Sequence, residues 1–321
     1  MMNLVSLLQA VAQTTQQMGP PGGGSGGPGG PPPGFSYTDA AMELIRFVGS
    51  FLAIGAVGFR FGIVRRVRGM SDEARTILRA DNAALLGILG VLLLAVNALG
   101  GPFLTSIAEN KSFAEALPKN LNPFEFKLAM LALAFIGFAL VRAARSFGWT
   151  LAAMGVLFTV LQPLYTGKNF ANKMNAVHIL AASTWLGTLL VLTFVGIRGL
   201  IKRHSSGGQR AGLVADLVNS FSPLALTASA IVAITGATTA WLHLKRISAL
   251  WSTSYGIALM VKLVLVLIVV VLGAWNWKRV RPSLGTEGTE QIIRRSATME
   301  LTFAALVLIA TSVLVTLPSP K

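Results

Sequence analysis

NAVHILAASTWLGTLLVLTFVGI, residues 175–197, contains no Asp, Glu, Lys or Arg and only one ionisable side chain, His178. At a rise of 1.5 Å per residue, roughly 20 such residues cross the ~30 Å hydrocarbon core of a bilayer. The stretch therefore predicts a transmembrane helix. Comparable runs lie at residues 41–64, 78–100, 123–141, 147–166, 218–241, 255–277 and 297–317. Together they predict an all-α, polytopic membrane helical bundle of about eight transmembrane helices.

Composition agrees. Hydrophobic residues make up 53% and charged residues 12% of the chain, where a soluble domain carries about 25% charged residues. Mean hydropathy is +0.66. The net charge of +15 would suggest nucleic acid in a soluble protein, but here the cations cluster in short loops beside apolar runs. Alternate loops hold Arg65, Arg66, Arg68, Arg75, Arg79, Arg142, Arg145, Arg198, Lys202, Arg203, Arg210, Lys278, Arg279, Arg281, Arg294 and Arg295, against Lys111, Lys119, Lys168, Lys173, Lys245 and Arg246. Positive residues concentrate on the cytoplasmic side of membrane proteins. The lipid bilayer is thus the expected partner and nucleic acid is not, the first set of loops is expected inside, and both termini are expected to be extracytoplasmic.

Residues 1–40 read as a separate region. Met1 to Ala12 is apolar and ends in Ala10-Val11-Ala12, which fits a signal-peptide cleavage site, yet no Lys or Arg precedes it. Cleavage and retention both stay open. From Gly19 to Gly34 the chain reads GPPGGGSGGPGGPPPG, a composition with nothing to bury, expected to form a disordered extracytoplasmic linker. The remainder divides into a first four-helix half, residues 41–170, and a second, residues 171–321. An offset of 135 relates Lys127-Leu128 to Lys262-Leu263 and Glu43 to His178. Either two parallel repeats or coincidence between leucine-rich helices accounts for it.

A polar residue within the bilayer is costly and marks a candidate functional site. Met174, His178, Ala181, Ala182 and Trp185 follow helical spacing and are expected on one face, with the alanines leaving room beside the imidazole. With no cysteine in the chain, metal ligands reduce to His, Met and carboxylates, and an imidazole with a thioether suits Cu(I). The bland alternative is an imidazole that merely hydrogen-bonds a neighbouring helix. Lys262, seven residues into its span, either snorkels outward as an anchor or is neutralised by Glu43 or Glu125 at similar depth. Glu300 enters from the opposite side and is expected not to reach it. His243 and Met260 are candidates for a third ligand, and His243 equally fits an interfacial aromatic belt beside Trp241.

The second half resembles the copper resistance protein D (CopD) family. VHILAASTWLGTLLVL, residues 177–192, has the family's His, Trp and Gly spacing in His178, Trp185 and Gly187. Residues 255–282 are similar to its Tyr-Gly, buried Lys, Asn-basic and Pro pattern through Tyr255, Gly256, Lys262, Asn276 and Pro282, and Glu300 matches its acidic residue early in the last helix. The resemblance implies copper handling at the bacterial inner (plasma) membrane, commonly uptake, often with a periplasmic copper-binding protein as partner. It makes Cu(I) the expected ion, held by His178 with Met174 second and His243 or Met260 third.

Other chemistry finds no support. Three histidines are too few for the four axial imidazoles of a two-haem membrane cytochrome. Walker A, HExxH and nucleophile-elbow motifs are missing, so no enzyme is expected. What competes with copper transport is a non-catalytic membrane scaffold or assembly factor whose polar residues only hold helices together.

Overall fold

The computed structural model describes residues 35–67, 81–203, 207–244, 246–276, 278 and 289–318. The signal-like segment and the glycine-proline linker lie outside the described residues, as do Arg68, Arg75, Arg79, Lys245, Arg279, Arg281 and Pro282. Eight helices are long and apolar enough to cross a membrane: α1 (Tyr37–Val64), α2 (Asn82–Ala108), α3 (Leu121–Arg142), α4 (Gly148–Thr166), α5 (Phe170–Leu200), α6 (Ala211–Leu244), α7 (Ser254–Trp275) and α8 (Gln291–Thr316). Each contains most of one predicted apolar run, and no β-strand occurs among the described residues. Most extend beyond the apolar run because polar residues at a helix end cost nothing once they reach the interface. Local chemistry fixes some of the ends. The Ser36 side chain accepts from the Asp39 amide to start α1, and the same kind of cap recurs at α7, where Thr253 accepts from the Gly256 amide.

Because successive spans alternate in direction, α1 begins and α8 ends on one face of the bundle, called here the terminal face. The opposite face carries the arginine-rich connections. Helices pair as hairpins: α1 with α2, α3 with α4, α5 with α6, and α7 with α8. In a membrane close approach of helices depends on small residues, and glycines mark the crossings. A Cβ on Gly49 would lie 2.9 Å from the Gly90 carbonyl oxygen, and one on Gly155 would lie 2.6 Å from the Ala134 amide nitrogen. The α1–α5 crossing is tightest: Gly55 and Gly187 meet backbone to backbone, so a side chain on either would collide with the partner helix.

This crossing makes α1 the hub of the fold, since it also touches α2, α4, α6 and α8. The most apolar windows of α1 and α5 are each 67% buried within the protein, whereas those of α6 and α7 are 11% buried. Leu226, Ile234, Val264 and Leu267 of α6 and α7 accordingly face outward, as lipid-facing residues do. Helix geometry departs from regular α at the hub. Phe59–Val64 of α1 and Ser183–Gly187 and Leu192–Ile197 of α5 form π-helical turns. Such turns admit one extra residue and are frequent at functional sites.

Candidate functional site

His178 sits eight residues into α5, about 12 Å from its start by helix rise, on the face that packs against α6. Its Nδ1 lies 3.0 Å from the Thr235 hydroxyl oxygen. That hydroxyl gives its single proton to the Ile231 carbonyl at 2.6 Å, so its oxygen is left to accept. In the neutral imidazole Nδ1 therefore carries the hydrogen and Nε2 presents its lone pair. Gly236 makes room: a Cβ there would stand 3.0 Å from the imidazole Cε1. The Val232 backbone carbonyl also bonds this ring; an imidazole oriented by hydrogen bonds from a neighbouring helix is the arrangement seen in metal-ligating histidines.

His243 is held in the same way. Its Nδ1 is 2.8 Å from the Thr239 carbonyl oxygen, which only accepts, so here too Nε2 is left free. The ring stacks on Tyr255 of α7, with centroids 6.0 Å apart. Thr235, Thr239 and His243 recur every fourth residue and form one stripe of α6, linked where the Thr239 hydroxyl donates to the Thr235 carbonyl. Eight residues separate Thr235 from His243, about 12 Å along the axis. The two imidazoles thus occupy successive levels, and the structure does not bring His243 into the ligand shell of His178.

Met174 lies one turn nearer the terminal face than His178 and is partly buried on the same side of α5. Met260 stands about 200° around α7 from Lys262 at 100° per residue, so these two do not share a face. Trp185 lies seven residues beyond His178, about 10 Å further along α5 by helix rise and within the π-helical turn Ser183–Gly187. It lines a largely apolar cavity of about 490 Å³ towards the arginine-rich face, together with Leu189, Phe221, Asn276 and Glu300. Among the described residues no three His, Asp or Glu side chains form a cluster that would hold a metal, leaving imidazole and thioether as the available donors.

Lys262 is eight residues into α7, the same depth as His178, and its charge acts on the imidazole. The expected counter-ions are elsewhere. Glu43 accepts from Arg46 of its own helix, with Nε to Oε2 at 2.9 Å, a spacing of three that the sequence displayed. Glu125 is exposed. No described carboxylate forms an ion pair with Lys262. Glu300, 7% exposed, accepts from the Asn276 amide while Ser296 donates to the Asn276 carbonyl oxygen. This bridge ties α7 to α8 near the arginine-rich face. Sequence reasoning missed Thr235, Gly236 and Thr239. The every-fourth-residue stripe was visible, but its facing partner on α5 was not.

Residues 215–314 match the family model of copper resistance protein D. The match covers α6 from near its start through most of α8, including Thr235, His243, Lys262 and Glu300; Met174 and His178 lie before it. A curated relative, the copper transport protein CutJ of Bacillus subtilis (strain 168), is 26% identical over 296 residues, which cover 88% of this chain and 53% of the relative. The chain thus spans about half the length of that relative. No solved structure matches.

Proposed function

We propose that this protein carries copper across the bacterial plasma membrane, taking Cu(I) from the extracytoplasmic side through the α5–α6–α7 region. The observation that carries the reading is the α5–α6 contact: an intramembrane imidazole held through Nδ1 by Thr235 and seated over Gly236. The family match and the name of the relative support copper as the cargo.

In this reading His243 receives the ion near the terminal face, and His178 with Met174 binds it about two turns deeper. Two neutral donors suit a soft monovalent ion. Lys262 is a like charge beside that ion. At an effective dielectric of 20, repulsion between two unit charges is on the order of 1 to 2 kcal/mol at separations of roughly 8 to 16 Å, which keeps binding weak. A site on a pathway must release what it binds. Both termini then lie outside, the arginine-rich loops inside, and an extracytoplasmic copper-binding protein is the natural donor. The protein is read as a transporter and not as an enzyme.

The test is Cu(I) stoichiometry on purified full-length protein by competition with a chromogenic chelator. The wild type is expected to bind at least one ion, and His178→Ala to lose affinity about tenfold or more with helical content unchanged. Cellular copper accumulation should fall in the same variant. Unchanged binding and accumulation in His178→Ala would return the protein to the scaffold reading. Orientation is checked separately in this cysteine-free chain: single cysteines replacing Ser206 and Ser319 should label from opposite sides of the membrane.

A further inference from the structure

On the side of α5 away from His178, a second cavity of about 510 Å³ opens towards the terminal face, walled by α1, α3, α4 and α5. At 100° per residue Asn172, Asn175, Ala176 and Ile179 form one stripe of α5, roughly opposite the stripe of Met174 and His178. One helix therefore separates two environments. The first is the imidazole site. The second has Arg46, Lys127 and Lys168 in its lining, with the amides of Asn172 and Asn175, and no Asp or Glu.

The charge count is unbalanced. Among the described residues Glu43 is the one acid bound to this group, through Arg46, so three cations against one carboxylate leave two positive charges in excess. Lys127 is partly buried, and both Arg46 and Glu43 act on its charge. Neither Lys127 nor Lys168 has an ion-pair partner among the described residues. Arg46 and Lys127 are partly buried and Lys168 is exposed; like charges brought together at a partly buried site are costly unless an anion joins them. A guanidinium, two ammonium groups and amide donors converging on a space of ligand size match the tetrahedral oxygens of a phosphate, which accepts charge-assisted hydrogen bonds.

We propose that this cavity binds a phosphate group, supplied either by the headgroup of an anionic lipid in the extracytoplasmic leaflet or by soluble phosphate. It is not part of the copper route, because a cation would be repelled from it. The first four helices, with one face of α5, thereby acquire a role, an anion-binding site set against the cation site on the other face of α5.

The experiment uses the full chain in nanodiscs of phosphatidylcholine alone or with phosphatidylglycerol. Thermal unfolding is followed with inorganic phosphate titrated against chloride at constant ionic strength, so that screening cancels. A saturable rise in the midpoint with phosphate identifies the soluble ligand; a rise with phosphatidylglycerol alone identifies the lipid. In either case the Lys127→Gln/Lys168→Gln double variant should require at least about tenfold more ligand for the same effect, whereas Lys127→Arg retains it. Lys168 is exposed, so Lys168→Glu tests the charge without burdening the fold and should also weaken binding. No rise with either ligand, or an equal rise in the double variant and in Lys168→Glu, would overturn the proposal.

Discussion

The first four helices close on themselves and the last four do not. Both sets consist of two hairpins, and in both the outer members meet, α1 with α4 and α5 with α8. The difference lies in the inner pair. Helices α2 and α3 pack together, whereas α6 and α7 meet only near the terminal face, where His243 stacks on Tyr255, and the 490 Å³ cavity bordered by Trp185, Phe221 and Gly273 lies on the other side of that contact. Glycine explains the closed half, since Gly49 with Gly90 and Gly137 with Gly148 and Ala152 bring backbones together. In the open half Gly236 accommodates an imidazole instead of a backbone, and Gly273 has open space beside it. Between the inner helices the same residue type thus serves packing in one half and leaves space in the other, while Gly187 joins the two halves.

The largest expected effect comes from breaking the joint between the halves. Gly187→Leu should force α5 off α1 and prevent assembly, a cost of more than about 4 kcal/mol, read as loss of monodisperse protein in gel filtration. Gly273→Ala, by contrast, should change the thermal midpoint by no more than about 0.5 kcal/mol equivalent. If both variants behaved alike, the contrast between packed and open glycines would be wrong.

Next in size is the bridge that holds the open half's second hairpin. Glu300→Leu leaves Asn276 without its acceptor in a buried setting, and an orphaned polar group of this kind costs about 1 to 3 kcal/mol. Glu300→Gln keeps a carbonyl oxygen for Asn276 and should lose less. Chemical denaturation of the two variants in one detergent measures the difference. Equal losses would show that the carboxylate charge, and not the acceptor, is what matters.

Lys262→Met removes a like charge from beside the imidazole while preserving the stem. Cu(I) should then bind about tenfold more tightly, following an energy near 1.4 kcal/mol, and transport should slow as release becomes limiting. Weaker binding in this variant would exclude a cation at His178. The smallest effect is expected from Ser183→Ala. The Ser183 hydroxyl is fully buried without a partner, so its removal should leave stability unchanged or raise it by up to about 1 kcal/mol.

What could be read in the sequence was whatever depends on near neighbours along the chain. Apolar runs gave the eight helices because crossing a bilayer is a property of a single segment. The order of His178 and Lys262 along their spans followed from counting, but α5 starts at Phe170, five residues before the apolar run, and so sets His178 further into its helix than that run implied. Facing partners were not legible. Nothing local says that Thr235 receives His178, or that Lys127 of α3 meets Arg46 of α1, because such pairs depend on how helices rotate and cross. The π-helical turns of α1 and α5 show a second limit, since no simple periodicity announces them.

The hub position of α1 has a consequence for how the protein is made. Its glycine face meets Gly187, and 132 residues separate Gly55 from that partner. At a synthesis rate of about 5 to 20 residues per second, α1 waits roughly 7 to 26 seconds in the membrane with this face unmatched, and longer still for α8. During that interval the small-residue surface is open to other nascent helices and to insertion chaperones. Helix α1, made before its partners, is thus among the last to find all its neighbours.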